Sequence, residues 1–161
     1  MSYPITPAIR VLRDNKIEFE PHIFDYVEKG GTKYSASILG VDEHAVIKTL
    51  VFETNEKKPL IVLMHGDLQV STKELARISK VKTISPVSPE KANKLTGYLV
   101  GGTSPFGTKM KMPVYVEKTI FDLTQIYING GKRGFLVSIN PKILPEVLQI
   151  QEVEVGISAT N

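Results

Sequence analysis

The 161-residue chain contains no cysteine, which removes disulfides, thiolate catalysis and cysteine-ligated zinc from consideration. No apolar run approaches the ~20 residues that a membrane-spanning helix needs. The opening "MSYPITPAIRVLRDN" also lacks the long apolar core of a signal peptide. Both absences point to a cytoplasmic protein with no membrane association. Phosphate loops are missing too: neither GxxxxGKS/T nor GxGxxG occurs. No GxSxG elbow marks a serine hydrolase. His22, His44 and His65 show no HxxxH spacing, and each reads as structural or surface. The scattered carboxylates form no recognisable acid–base pair. No metal and no cofactor is implied.

What remains is an ordinary globular composition, 42% hydrophobic and 23% charged, long enough to bury a sizeable core as one domain spanning 1–161. The net charge of +3 permits a polyanionic partner without requiring one. Repeats, low-complexity tracts and linkers are absent.

Local signals place the elements. Thr6 and Pro7 cap and start a helix that runs to about Asn15. "IEFEPHIFDY" reads as extended, and "KYSASILG" as a helix closed by Gly40, with a helical turn at "DEHA". "AVIKTLVFETNEKKPLIVLMH" is a hairpin turning at Asn55–Lys58. Helices follow at "STKELARIS", capped by Ser71 or Thr72, and at "SPEKANKLTG", capped by Ser88 and stopped by Gly97. Tyr98–Val100 begins like a buried strand. Further strands are expected at Pro113–Glu117, Gln125–Asn129, Gly134–Ile139 and "IQEVEVG", with a short helix after Asn140. About seven strands and four or five helices in irregular order make an α+β pattern. Regular βαβ alternation is absent, which argues against a doubly wound nucleotide-binding fold.

Three features bear on chemistry. In a strand, Lys48 shares a face with Val46, Leu50 and Phe52, while Thr49 shares the other with Ile47, Val51 and Glu53. An amine among apolar neighbours pairs, snorkels at a sheet edge, or faces a cavity. The pairs Gly101–Gly102 and Gly130–Gly131 admit two readings: a turn or bulge, or a nest of bare N–H groups for an anion. Thr103 and Ser104 either donate to a ligand or cap the turn. Lys132 and Arg133 follow a glycine turn, where they can meet phosphates; the other basic pairs, Lys109 with Lys111 among them, read as solvated surface.

Taken together, "TPAIRVLRDNKI", "LGVDEHAVIKTLVF", "GYLVGGTSPFGTK" and "IYINGGKRGFLVSINP" resemble the YbaK family of free-standing aminoacyl-tRNA deacylases, related to the editing domain of bacterial prolyl-tRNA synthetases. The resemblance covers nearly the whole chain. It implies an α+β fold with a mixed, largely antiparallel sheet curled around a pocket and flanked by helices. It also implies an enzyme that hydrolyses the ester joining a wrong amino acid to tRNA, acting in trans on substrates such as Cys-tRNA(Pro). The partner would be the tRNA acceptor end, with an aminoacyl-tRNA synthetase as a further candidate. Lys48 matches the strand lysine on which activity depends, Thr49 a pocket threonine, and Gly101 and Gly102 the glycines near the scissile carbonyl. Ser104, Gly130 and Gly131 complete the expected substrate site, and Lys109, Lys132 and Arg133 the tRNA contacts.

Three positions depart from relatives that act on cysteine. Phe24 stands where a tyrosine is usual, Gly31 where an aromatic residue is usual, and Ile143 where an acidic one is usual. Those departures imply an altered amino-acid pocket. They also leave a second reading open, a non-catalytic module that binds an aminoacyl-tRNA end, an oligonucleotide or a small ligand on the same scaffold.

Overall fold

The structure, a computed structural model, describes residues 2–158. Met1 and residues 159–161, counted in the expected domain, lie outside the described residues. The chain runs α1 (Pro7–Asp14), β1 (Glu20–Ile23), α2 (Gly31–Leu39), a 3-10 turn (Glu43–Ala45), β2 (Val46–Thr54) and β3 (Pro59–His65). It continues through β4 (Leu68–Val70), α3 (Thr72–Ser79), β5 (Ile84–Pro86), α4 (Pro89–Thr96) and β6 (Val114–Glu117). After a second 3-10 turn (Lys118–Asp122) come β7 (Ile126–Lys132), β8 (Phe135–Ile139), α5 (Leu144–Val147), β9 (Ile150–Val153) and β10 (Gly156–Ser158).

The capping signals act where the sequence puts them. Thr6, Ser71 and Ser88 each accept a hydrogen bond from the backbone N–H three residues on, at 3.1–3.2 Å. Gly40 and Gly97 close their helices in the left-handed region.

The main sheet has the order β1-β8-β7-β2-β3-β6-β9, with β5 paired to the far half of β2. It is mixed and largely antiparallel: β2–β7, β3–β6 and β6–β9 are parallel, and the other pairs are antiparallel. β4 and β10 form a separate antiparallel pair.

Strand parity sorts the core onto the two sheet faces. Ile47, Val51, Ile61, Leu63, Val116, Ile128 and Val137 pack with α1, α4 and α5 on one face. Phe52, Val62 and Met64 pack with α3 on the other, where Val46 and Leu136 meet α2.

Two expectations change. Tyr98–Val100 is not a strand. Tyr98 is buried and its hydroxyl donates to Phe106 O at 2.6 Å, but Leu99 and Val100 are 59% and 45% exposed. The chain leaves α4 through left-handed Gly97 and turns again at Gly101, where φ is +92°, too soon for a strand to form. The second double glycine lies inside β7, which runs on to Lys132 through a bulge between Asn129 and Lys132.

Candidate functional site

Lys48 sits where the sheet splits. β7 flanks β2 only at Val46 and Ile47, and β5 joins it only from Phe52, so neither strand pairs with the stretch from Lys48 to Val51 on that side. The bulge in β7 begins one residue past the last parallel pair, Ile47↔Ile128. Asn129 follows Ile128 as Lys48 follows Ile47, so strand alternation turns both to the same face of the sheet. The Lys48 ammonium donates to the Leu68 carbonyl in the β3–β4 region. Half-burial pushes its pKa below the ordinary lysine value, while the Glu43 and Asp67 carboxylates pull it back up. Glu43 is itself fixed by Thr32, whose hydroxyl donates to it at 2.8 Å and lies 3.1 Å from Gly66 O.

Asn129 ties the two glycine segments together. Its Nδ2 donates to Gly101 O at 3.1 Å, and its Oδ1 accepts from Gly131 N at 2.7 Å and Lys132 N at 3.1 Å. Of the two readings of Gly130–Gly131, the bulge is therefore the one present, with its N–H groups held by the side-chain amide of Asn129. Gly130 also backs onto the Phe135 ring, and Gly131 onto Tyr98 and Thr6, so both serve close chain packing.

The first pair divides. A Cβ on Gly102 would lie 2.7 Å from Arg133 N, and the Gly102 N–H is already donated to Leu99 O at 2.8 Å. Gly102 is a close-approach residue, and its amide is not free for a substrate oxygen. Gly101 is exposed, and its N–H has no partner among the described residues. Over it stands Tyr26, whose hydroxyl is 2.7 Å from where a Gly101 Cβ would be.

Phe24 is half-buried on the face of α2, packed against the cluster of Ala36, Val46 and Leu136, and its N–H donates to Gly134 O at 2.9 Å. Gly31 opens α2 with φ +64°, and a Cβ there would meet nothing within 4 Å. Lys132 and Arg133 are exposed beside Gly101, with Arg133 Nε donating to Val100 O at 2.8 Å. Lys109 is exposed against Gly97.

Phe24 and Lys48 thus lie on the α2 face of the sheet, while Gly101, Lys132 and Arg133 meet at the bulge of β7. Thr49 and Ser104 do not join them. Strand alternation turns Thr49 to the opposite face, paired with Leu63, and its Oγ1 is buried without a partner among the described residues. Ser104 is fully buried and accepts from Phe106 N at 3.0 Å, which is the turn-capping role. Ile143 packs against the core cluster on that opposite face. Two clefts of about 390 and 370 Å³, both lined by Lys111, Met112, Val114 and Gln149, include none of the residues around Lys48.

Sequence reasoning missed Asn129, Tyr26 and a histidine pair. The rings of His44 and His65 stack at 3.6 Å and 6°, with His44 on Asp67 at 2.9 Å. His65 is fully buried between His44 O and the Thr119 hydroxyl, both at 2.7 Å. Asn129 next to Gly130 was the one visible signal, since asparagine tolerates and caps irregular backbone.

An aminoacyl-tRNA editing domain profile matches residues 31–146, which hold Lys48 and both glycine pairs. The chain belongs to the aminoacyl-tRNA editing domain family. EbsC of Enterococcus faecalis, named provisionally as a Cys-tRNA(Pro)/Cys-tRNA(Cys) deacylase, is 27% identical over 93% of this chain and 92% of its own length. A proline--tRNA ligase of Streptococcus agalactiae is 27% identical over 75% of the chain, which spans only 20% of that ligase. A crystal structure described provisionally as a trans-editing enzyme for prolyl tRNA synthetase shares the fold with a TM-score of 0.81. That likeness covers 96% of this chain and 100% of the other at 19% identity.

Proposed function

We propose that the chain is a trans-editing hydrolase that removes the amino acid from mischarged tRNA, with residues 1–161 acting as one cytoplasmic editing domain. The observation that carries this reading is Lys48, a half-buried amine at the split in the sheet of a family member, on the sheet face to which Asn129, bonded to Gly101, also turns. The reaction consumes one water. The attacking oxygen adds to the ester carbonyl, the bond to the ribose oxygen breaks, and that oxygen takes a proton as the free amino acid leaves. Lys48 is the cation facing the developing negative charge, and the Gly101 N–H is the backbone donor available to it. No side chain stands out as nucleophile; direct attack by water releases the free amino acid in one step, whereas attack by a tRNA hydroxyl gives a new ester and attack by the substrate's own side chain gives a cyclic product, each of which the one water must then open. Lys132 and its neighbours hold the acceptor end through phosphates, an interaction that weakens with salt. A synthetase that supplies the charged tRNA is a candidate partner. The test is a panel of charged tRNAs assayed for deacylation.

A second reading keeps the pocket without the chemistry. The engagement of the Gly102 and Gly131 amides inside the protein favours it, since fewer donors remain than a two-amide oxyanion hole uses. Binding of uncharged and charged tRNA with no release of amino acid across the panel would select this alternative.

A further inference from the structure

Beside Gly101 the surface is apolar and cationic at once. Tyr26 is 38% exposed, and its phenol end reaches Gly101. The Arg133 guanidinium lies over the Tyr26 ring, 5.0 Å from its centroid, and is anchored there by the bond from Nε to Val100 O. Arg133 is therefore held as a plane against a ring, not extended as a loose phosphate hook. Exposed Leu99 and Val100 border the pair. Elsewhere on a protein surface, a tyrosine and two aliphatic side chains left this open invite a partner.

We propose that Tyr26 and Arg133 form a stacking subsite for the unpaired base at the 3′ end of the tRNA acceptor strand. This rests on the editing reading above. In an aminoacyl-tRNA the ester and the terminal base hang from the same ribose, so the base must lie next to the carbonyl site. Tyr26 meets that condition because its hydroxyl end already touches the Gly101 segment. The chemistry fits as well: single-stranded bases splayed from a stem stack on aromatic rings and on guanidinium planes. The positive charge of Arg133 and Lys132 suits the adjoining phosphates. Stacking tolerates any base, so the subsite reads the presence of a terminal base and not its identity.

The test compares two single-stranded RNA probes, one ending in CCA and one identical but lacking the terminal base. Binding to the full chain is measured at fixed salt. The intact end is expected to bind at least about fivefold more tightly than the abasic end. Tyr26→Leu should abolish that difference, and Arg133→Lys should reduce it while leaving the salt dependence intact, because the charge is kept and the plane is lost. Tyr26→Phe should preserve it. A parent protein that binds both probes equally overturns the proposal. So does a Tyr26→Leu variant, folded by its melting temperature, that keeps the base-dependent difference. Failure of the editing reading looks different: base-dependent binding persists, but no charged tRNA in the panel loses its amino acid.

Discussion

Asn129 donates to Gly101 O at 3.1 Å while its carbonyl gathers the N–H groups of Gly131 and Lys132. One side chain thereby fixes the exposed glycine turn to the bulge of β7, the strand that pairs with the start of β2. Asn129→Asp separates its two jobs: the acceptor that holds the bulge survives, while the donor to Gly101 is replaced by a carboxylate facing a carbonyl. A neutral hydrogen bond contributes about 1 kcal/mol to stability, so its loss with the added repulsion should lower Tm by a few degrees. Assayed well below that Tm, the saturated deacylation rate should also fall, with KM for tRNA little changed. A rate that holds while Tm falls would assign Asn129 to stability alone.

Lys48→Met removes the cation while keeping an apolar stem among Val46, Leu50 and Phe52. Loss of one charge-stabilising donor typically costs about 10²–10³ in kcat, and single-turnover rates should show a drop of that order. The pH dependence follows from burial, which lowers the Lys48 pKa below 10.5. Between that lowered value and 10.5 the unfolded chain binds more protons at this site than the folded one, so stability rises with pH across the window. The same window is where the amine loses its charge and enzyme-catalysed hydrolysis, corrected for the spontaneous reaction, declines. In Lys48→Met the alkaline gain in Tm should disappear. A persisting gain would trace it to another group.

Much of this architecture was legible because its signals are local. Thr6–Pro7, Ser88–Pro89 and the Asn55–Lys58 turn each act within a few residues, and the parity of β2 correctly separated Lys48 from Thr49. β4, β5 and β10 were not legible. Each is three residues long and exists only because a distant strand pairs with it. Tyr98–Val100 has the composition of a strand but lies between two left-handed glycines, and their tertiary anchors decided the outcome. Tyr26 and Asn129 carry no motif. Their meaning depends on the 97–107 loop folding back onto β7, which spacing along the chain cannot reveal.

His65 is buried and stacked on His44, and burial lowers its pKa below 6.5; stacked His44 opposes its charging, while Asp67 and Glu117 favour it. Below pH 6.5 the unfolded chain takes up a proton that folded His65 resists, so this site's contribution to stability is lost as pH falls toward its folded pKa. Melting temperatures recorded from about pH 7.5 down to about pH 5 should decline, and His65→Gln should flatten that decline. An equal slope in the variant would point to the exposed carboxylates instead.

Thr49→Val tests the orientation of β2 from the other side. The hydroxyl is buried without a hydrogen bond among the described residues, and a methyl of the same shape removes that cost. A gain of about 1 kcal/mol is expected, seen as a higher denaturant midpoint with an unchanged slope. Because Thr49 faces away from Lys48, the deacylation rate should hold. A rate loss without a stability gain would bring Thr49 back to the substrate.

On the editing reading, the residues expected to meet the amino-acid side chain are Phe24 and Gly31, on the α2 side. Phe24 offers a ring but no hydroxyl, and the space above Gly31 is empty to at least 4 Å. A side chain at Gly31 would be strained at φ +64°, by about 1–2 kcal/mol, so the backbone itself resists restoring an aromatic wall there. An apolar contact surface without a polar group discriminates by only about 1–3 kcal/mol per methylene. Cysteinyl, alanyl and seryl esters of one tRNA, assayed under one condition, should therefore differ modestly, with cysteine not singled out. Phe24→Tyr supplies a hydroxyl on the same ring and should raise turnover of the polar substrates relative to alanine. A preference for cysteine on the scale of a hundredfold in the parent, about 2.7 kcal/mol, would mean that neither Phe24 nor Gly31 governs the choice.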